Sequence, residues 1–118
     1  MLDPFAVHPD IRPWSVWWID FGMRSDREQH WRRPAVVVSS ADALQILQQL
    51  VAVLPCTTVG RGWPNHVRLD GELRLPRITY AMTEQVITID REALIRPLGL
   101  IDDRCQAEIR RWLHDWLI

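Results

Sequence analysis

The chain has 118 residues, 47 % apolar and 25 % charged, with 14 Lys and Arg against 15 Asp and Glu for a net charge of −1. This length supports one domain with a single core. The near-neutral balance excludes a global basic field, so any nucleic-acid site must be a local patch. Cys56 and Cys105 lack metal-ligand spacing and read as free buried thiols in a reducing compartment. No run reaches the length of a membrane span. Met1-Leu2-Asp3-Pro4-Phe5 has neither a basic nor an apolar leader region, so a cytoplasmic location is expected.

In chain order, residues 1–13 carry Pro4, Pro9 and Pro13 with little apolar pattern, which predicts an extended arm ahead of a domain over residues 14–118. Trp14 to Asp20 alternates, with Val16 and Trp18 on one face and Trp17 and Ile19 on the other, a strand covered on both sides. Met23 to Arg32 is a charged loop, a common place for chemistry. Val36 to Val38 reads as a buried strand, with Pro34 at its first position because proline lacks a ladder donor. Proline also restrains the residue before it, which makes Arg33 a well-mounted charge. An ordinary solvated Arg32-Arg33 pair is the plainer reading of the same residues.

Ser40 is placed to cap a helix over Ala41 to about Gln49, with Leu44 and Leu47 on its buried face. Leu50 to Leu54 is the next strand, closed by Pro55-Cys56-Thr57-Thr58, and Val59 to Pro64 forms a loop carrying Arg61 and Trp63. His66 to Leu69 alternates into the Asp70-Gly71 turn signal, and Thr79 to Ile89 reads as one or two β segments. Pro97 assigns Leu94 to Leu100 to an edge strand. Asp103 with Gln106 predicts a capping box for a terminal helix whose apolar face runs through Cys105, Ile109, Trp112, Leu113, Trp116 and Leu117. Trp112 and Trp116 are expected as core anchors. The fold class is mostly β with a C-terminal α-helix, a small bent barrel closed by that helix.

No His-Glu-x-x-His, Cys-x-x-Cys, Gly-rich phosphate loop or Gly-x-Ser-x-Gly elbow occurs, so neither a metal nor a cofactor is expected. Three clusters remain: Arg27-Glu28-Gln29 with Arg32-Arg33, Thr57-Thr58 with Arg61, and Glu84-Gln85. A guanidinium, a hydroxyl and a carboxylate brought together would suit a reaction that gathers negative charge on oxygen, such as phosphodiester cleavage. Spacing alone does not bring them together.

Val16-Trp17-Trp18-Ile19-Asp20-Phe21, Glu28-Gln29, Arg33-Pro34-Ala35-Val36-Val37, Pro55-Cys56-Thr57-Thr58, Gly62-Trp63-Pro64, and Glu84-Gln85-Val86 with Thr88-Ile89-Asp90 occur in that order. In these blocks, from Trp14 to Ile118, the sequence resembles the MazF/PemK family of toxin endoribonucleases. The resemblance implies an SH3-like barrel of the MazF/CcdB type, a homodimer, a cognate antitoxin, and metal-independent cutting of single-stranded RNA such as mRNA. It also implies attack by the 2′-hydroxyl, giving a 2′,3′-cyclic phosphate and a 5′-hydroxyl.

Residue by residue, the resemblance makes Arg33 and Thr57 catalytic and implicates Glu28. Arg33 would hold the phosphate oxygens bidentately, Thr57 would donate its hydroxyl, and Glu28 would act as general base, with His30 as the other titratable candidate. Gln29, Thr58, Glu84 and Gln85 are candidates for base edges, Arg61 for a phosphate, and Trp31 and Trp63 for stacking. The chain departs from the family pattern at Trp14-Ser15, where Gly-Asp is common, and at Arg27, Glu84 and Ile87. Two alternatives stand beside this reading: a CcdB-like gyrase-binding toxin, and a homologue that binds RNA without cutting it.

Overall fold

The computed structural model describes residues 11–20 and 32–117. Residues 1–10 of the arm expected over 1–13, and the loop bearing Glu28, Gln29, His30 and Trp31, lie outside them; Ile11, at the arm's described end, is buried in the core. Eight strands, β1 (Ser15–Asp20), β2 (Arg32–Val37), β3 (Leu50–Thr57), β4 (His66–Arg68), β5 (Gly71–Leu73), β6 (Tyr80–Met82), β7 (Ile87–Asp90) and β8 (Leu94–Ile101), form a bent sheet among the described residues. Their order is β4-β6-β3-β2-β1-β8-β5, with β7 beside β3, and a terminal helix packs on one face. The strand-rich pattern predicts this bent β architecture with its terminal helix, and the resemblance its SH3-like form; the sheet is a half-barrel.

β1 (Ser15–Asp20) and β2 (Arg32–Val37) pair antiparallel at the centre. Both faces are apolar, as the alternation requires. Val16 and Val36 join Leu54, Leu98, Cys105 and Ile109 in one core cluster. Trp17, Ile19, Ala35 and Val37 join Val51 and Val53 in another. β2 begins earlier than predicted, so Arg33 lies inside the strand and Pro34 is its third residue, opposite Trp18. The missing donor is tolerated because the β2–β3 ladder starts only at Ala35.

α1 (Ala41–Ile46) is capped by Ser40 Oγ, which accepts from the Ala43 N–H at 3.1 Å. It stops short of the predicted Gln49, and Leu47 is half exposed rather than part of the buried face. The Arg91 guanidinium donates to the carbonyls of Leu44, Leu47 and Leu50, satisfying the end of the helix.

β3 (Leu50–Thr57) runs through Pro55. Its free side pairs with β7 (Ile87–Asp90) over residues 50–53 and with β6 (Tyr80–Met82) at Cys56 and Thr57. Pro55 falls in the gap between these partners, so its lost N–H interrupts neither ladder. β4 (His66–Arg68) pairs with β6, whereas β5 (Gly71–Leu73) pairs with β8 (Leu94–Ile101). The Asp70-Gly71 turn therefore carries the chain between the two ends of the sheet and closes no hairpin. Gly71 has φ 136°, and a Cβ there would sit 2.5 Å from the Leu100 carbonyl oxygen.

β8 is an interior strand between β1 and β5, not an edge. Pro97 is accommodated because β5 pairs only with residues 99–101 and the β1 ladder shifts register near Trp17. α2 (Asp103–Leu117) is capped one residue before the expected position: Asp102 Oδ1 accepts from the Cys105 N–H at 2.9 Å, and Gln106 donates to the Ile101 carbonyl at 3.1 Å. Cys105 and Ile109 are fully buried and Trp112 packs against the core. Trp116 is 49 % exposed, so it is no core anchor; its indole donates to Thr83 Oγ1 at 3.1 Å. No helix among the described residues is long and apolar enough to cross a membrane.

Candidate active site

Antiparallel register brings together the two residues placed at the centre of the site. The last β2–β3 pair is Ala35 with Pro55. Continuing the register by two residues sets Arg33 across from Thr57, and both line one cavity of about 530 Å³. Arg33 is half buried and makes no ion pair with another described residue. Thr57 Oγ1 accepts from the Val59 N–H at 3.1 Å. This local turn fixes the oxygen and leaves the hydroxyl proton free to be donated.

Cys56 lies beside them and is not a nucleophile. Burial pushes its thiol far above the usual range, and the opposing pull of a Val36 backbone hydrogen bond and the Arg33 charge is too small to reverse this. Thr58, exposed at the end of β3, also lines the cavity.

Other walls come from residues that sequence reasoning did not single out as site residues. Trp18 enters from β1, Arg96 from β8, and Arg74 and Arg77 from the segment joining β5 to β6. With Arg32 and Arg33, five arginines and no acidic side chain border the cavity among the described residues. Arg32 is held by Asp20, Nε to Oδ2 at 3.0 Å. Arg74, Arg77 and Arg96 are exposed and make no ion pair with another described residue. The signal available in sequence was the residue type: the chain has no lysine, so all 14 cations are arginine. Arginine is the cation whose planar fork matches phosphate and carboxylate bidentately.

The remaining candidates lie elsewhere. Arg61, Glu84 and Gln85 do not line the cavity. Glu84 sits in the 3₁₀ turn after β6, where its carboxylate accepts from Asn65 Nδ2 at 2.9 Å and faces His66 Nε2 at 3.1 Å. Partial burial raises its pKa, but the His66 hydrogen bond, a backbone bond and the attraction of His66 outweigh this and hold the carboxyl below its usual range. Trp63 leans on His66 with ring centroids 4.8 Å apart, and the Arg61 guanidinium lies 5.6 Å from the centroid of the Trp63 ring. Trp63 remains 50 % exposed. Among the described residues no group of three His, Cys, Asp or Glu side chains is placed to hold a metal.

The site therefore defines a small half-barrel with an arginine-rimmed cavity at the ends of its central strands. The chain belongs to the family described as PemK-like, MazF-like toxins of type II toxin–antitoxin systems, whose model matches residues 12–117. It is similar to MazF from Deinococcus radiodurans at 25 % identity, covering 90 % of this chain and 94 % of that one with a TM-score of 0.72. A mycobacterial endoribonuclease in complex with its cognate antitoxin shares the fold at 20 % identity, with 90 % and 93 % covered and a TM-score of 0.74. Mycobacterium tuberculosis toxin MazF-mt6 does so at 18 % identity, with 86 % and 93 % covered and a TM-score of 0.70. No curated protein matches by sequence.

Proposed function

We propose that this protein is the toxin of a type II toxin–antitoxin pair, a sequence-specific endoribonuclease that cuts single-stranded RNA without a metal. The observation that carries the reading is the meeting of Arg33 and Thr57 at one cavity that, among the described residues, is lined by arginines and by no acidic side chain. Neither a gyrase-binding toxin nor a non-cutting RNA binder needs that pairing.

Arg33 grips the non-bridging oxygens of the scissile phosphate and holds the charge that builds there in the transition state. Such donors supply about 2 to 4 kcal/mol. The 2′-oxygen attacks phosphorus and the bond to the 5′-oxygen breaks, leaving a 2′,3′-cyclic phosphate and a 5′-hydroxyl. Glu28 takes the 2′-hydroxyl proton, Thr57 donates a hydrogen bond from its hydroxyl to the phosphate oxygens or to the departing 5′-oxygen, and that oxygen takes its proton from solvent. Thr58 and Gln29 contribute to base recognition beside the cleaved bond, with Arg61, Glu84 and Gln85 contacting the strand further out. The working form is a homodimer, and a separate antitoxin protein covers the groove.

Purified protein incubated with a long RNA in EDTA, followed by mapping of the new ends, tests this. Cuts at a recurrent short sequence, with 5′-hydroxyl and cyclic-phosphate ends, are expected. Intact RNA, or cleavage only when a divalent metal is added, contradicts the reading.

A further inference from the structure

The cavity carries more cationic surface than the chemistry at Arg33 and Thr57 employs. Trp18 pairs with Pro34 on one side and Arg96 on the other, so these three form one row across β2, β1 and β8. Strand alternation puts that row on the opposite sheet face from Ile19 and Arg33. The cavity is thus bordered from both faces: the reacting pair at the strand ends, and an indole flanked by guanidiniums on the other side. Trp18 is half buried against the core, and its ring stacks on no other aromatic or guanidinium among the described residues.

An aromatic face beside exposed arginines without ion-pair partners is the combination that binds single-stranded nucleic acid, with bases stacking and phosphates tracking the charge. The volume of about 530 Å³ lies within the range of small-ligand pockets. A double helix would present neither a free base face nor a strand narrow enough to enter. We propose that this part of the cavity is a nucleotide subsite: one base of the RNA lies on the Trp18 indole, and the phosphates next to the scissile one are held by Arg74, Arg77 and Arg96. The inference rests on the RNA reading of the site. It assigns to these four residues the register of the strand, leaving bond cleavage to Arg33 and Thr57.

The probe is a mixed-sequence single strand of about 20 nucleotides, 2′-O-methylated throughout so that no 2′-hydroxyl can attack. Its Kd for the full chain is measured against salt concentration. Arg74→Gln and Arg96→Gln are each expected to flatten the log Kd against log salt plot by about 0.7, the single-strand value per phosphate contact, and the double variant by about twice that. Arg96→Lys restores the slope, because lysine still binds phosphate as a point charge. Trp18→Leu weakens binding about tenfold with the slope unchanged. A fully abasic strand binds wild type and Trp18→Leu alike.

An unchanged slope in the double variant overturns the phosphate assignment. The exposed positions of Arg74 and Arg96 keep that test independent of any folding defect at Trp18. Equal affinity of folded wild type and Trp18→Leu for the base-bearing strand overturns the base seat, and Trp18→Phe, which keeps a ring in the same place, should bind more tightly than Trp18→Leu. Arginine-dependent binding by a protein that cuts no RNA retires the catalytic reading and retains the subsite. Cleavage with salt slopes unaltered does the reverse.

Discussion

Arg33 and Thr57 approach the same cavity from neighbouring antiparallel strands, two register positions beyond the Ala35–Pro55 pair. Neither side chain depends on the other for its placement. Pro34 and the β1 ladder fix Arg33, and the Val59 N–H fixes the Thr57 oxygen at 3.1 Å.

That bond makes the Thr57 hydroxyl a donor with an oriented oxygen. Thr57→Ser keeps it and should retain most of the RNA-cleaving rate. Thr57→Val removes the proton while keeping the shape, and should lose about a hundredfold. Initial rates on one mapped cleavage site, with circular dichroism confirming the fold of both variants, decide this.

The Glu84 carboxyl is held below its ordinary value of 4.5, with burial opposed by its bonds to His66 and the backbone. Its charged form is favoured in the folded state. The stabilisation is therefore fully present above about pH 4.5 and fades as pH falls through the lower folded value. Glu84→Gln should accordingly be less stable than wild type at neutral pH, with the gap closing in acid. Urea unfolding of both proteins at about pH 7 and about pH 3 checks the sign. A gap that widens in acid would be the wrong result for this arrangement.

Trp14 has φ 70°, in the left-handed region, at the position where the resemblance expects glycine. The indole packs on the core and lies under Arg110 at 5.3 Å. These contacts offset a backbone cost of about 1 to 2 kcal/mol. Trp14→Ala should lose the contacts and keep the cost, falling about 2 kcal/mol or more in stability. Trp14→Gly should be more stable than Trp14→Ala by about 1 kcal/mol, the reverse of the usual order of these residues. Chemical denaturation of the two variants side by side reads the difference.

Cys56 and Cys105 are both buried with free thiols. Burial drives the Cys56 thiol far up and Cys105 to about 11. The native protein should therefore resist alkylation by iodoacetamide at about pH 8, with both sites labelled only after unfolding. Peptide mass mapping reports it, and fast native labelling at either residue would show an exposed thiolate.

Much of this fold was legible because its strongest signals are local. The two-sided apolar alternation of Trp14 to Asp20 and the helical spacing from Cys105 to Leu113 each need only neighbouring residues to be read. The errors fell where distant pairing overrides a local rule. Pro97 reads as an edge residue because proline lacks a donor, yet β5 leaves that stretch of an interior strand unpaired. Asp70-Gly71 reads as a turn, but the local signal does not show that the glycine serves the close approach to β8. In the site, Arg33, Thr57 and Thr58 stood in recognisable blocks. Arg74, Arg77 and Arg96 did not, because only barrel closure brings the β5–β6 connection and β8 to the same cavity as β2 and β3.

The central claim is that Arg33 stabilises charge on a scissile phosphate, and its most direct test is the single-turnover cleavage rate of Arg33→Ala on a mapped RNA site in EDTA. A loss of at least about a hundredfold is predicted, with the fold and RNA affinity largely retained and Arg33→Lys intermediate. A variant that cuts at close to the wild-type rate would contradict the account.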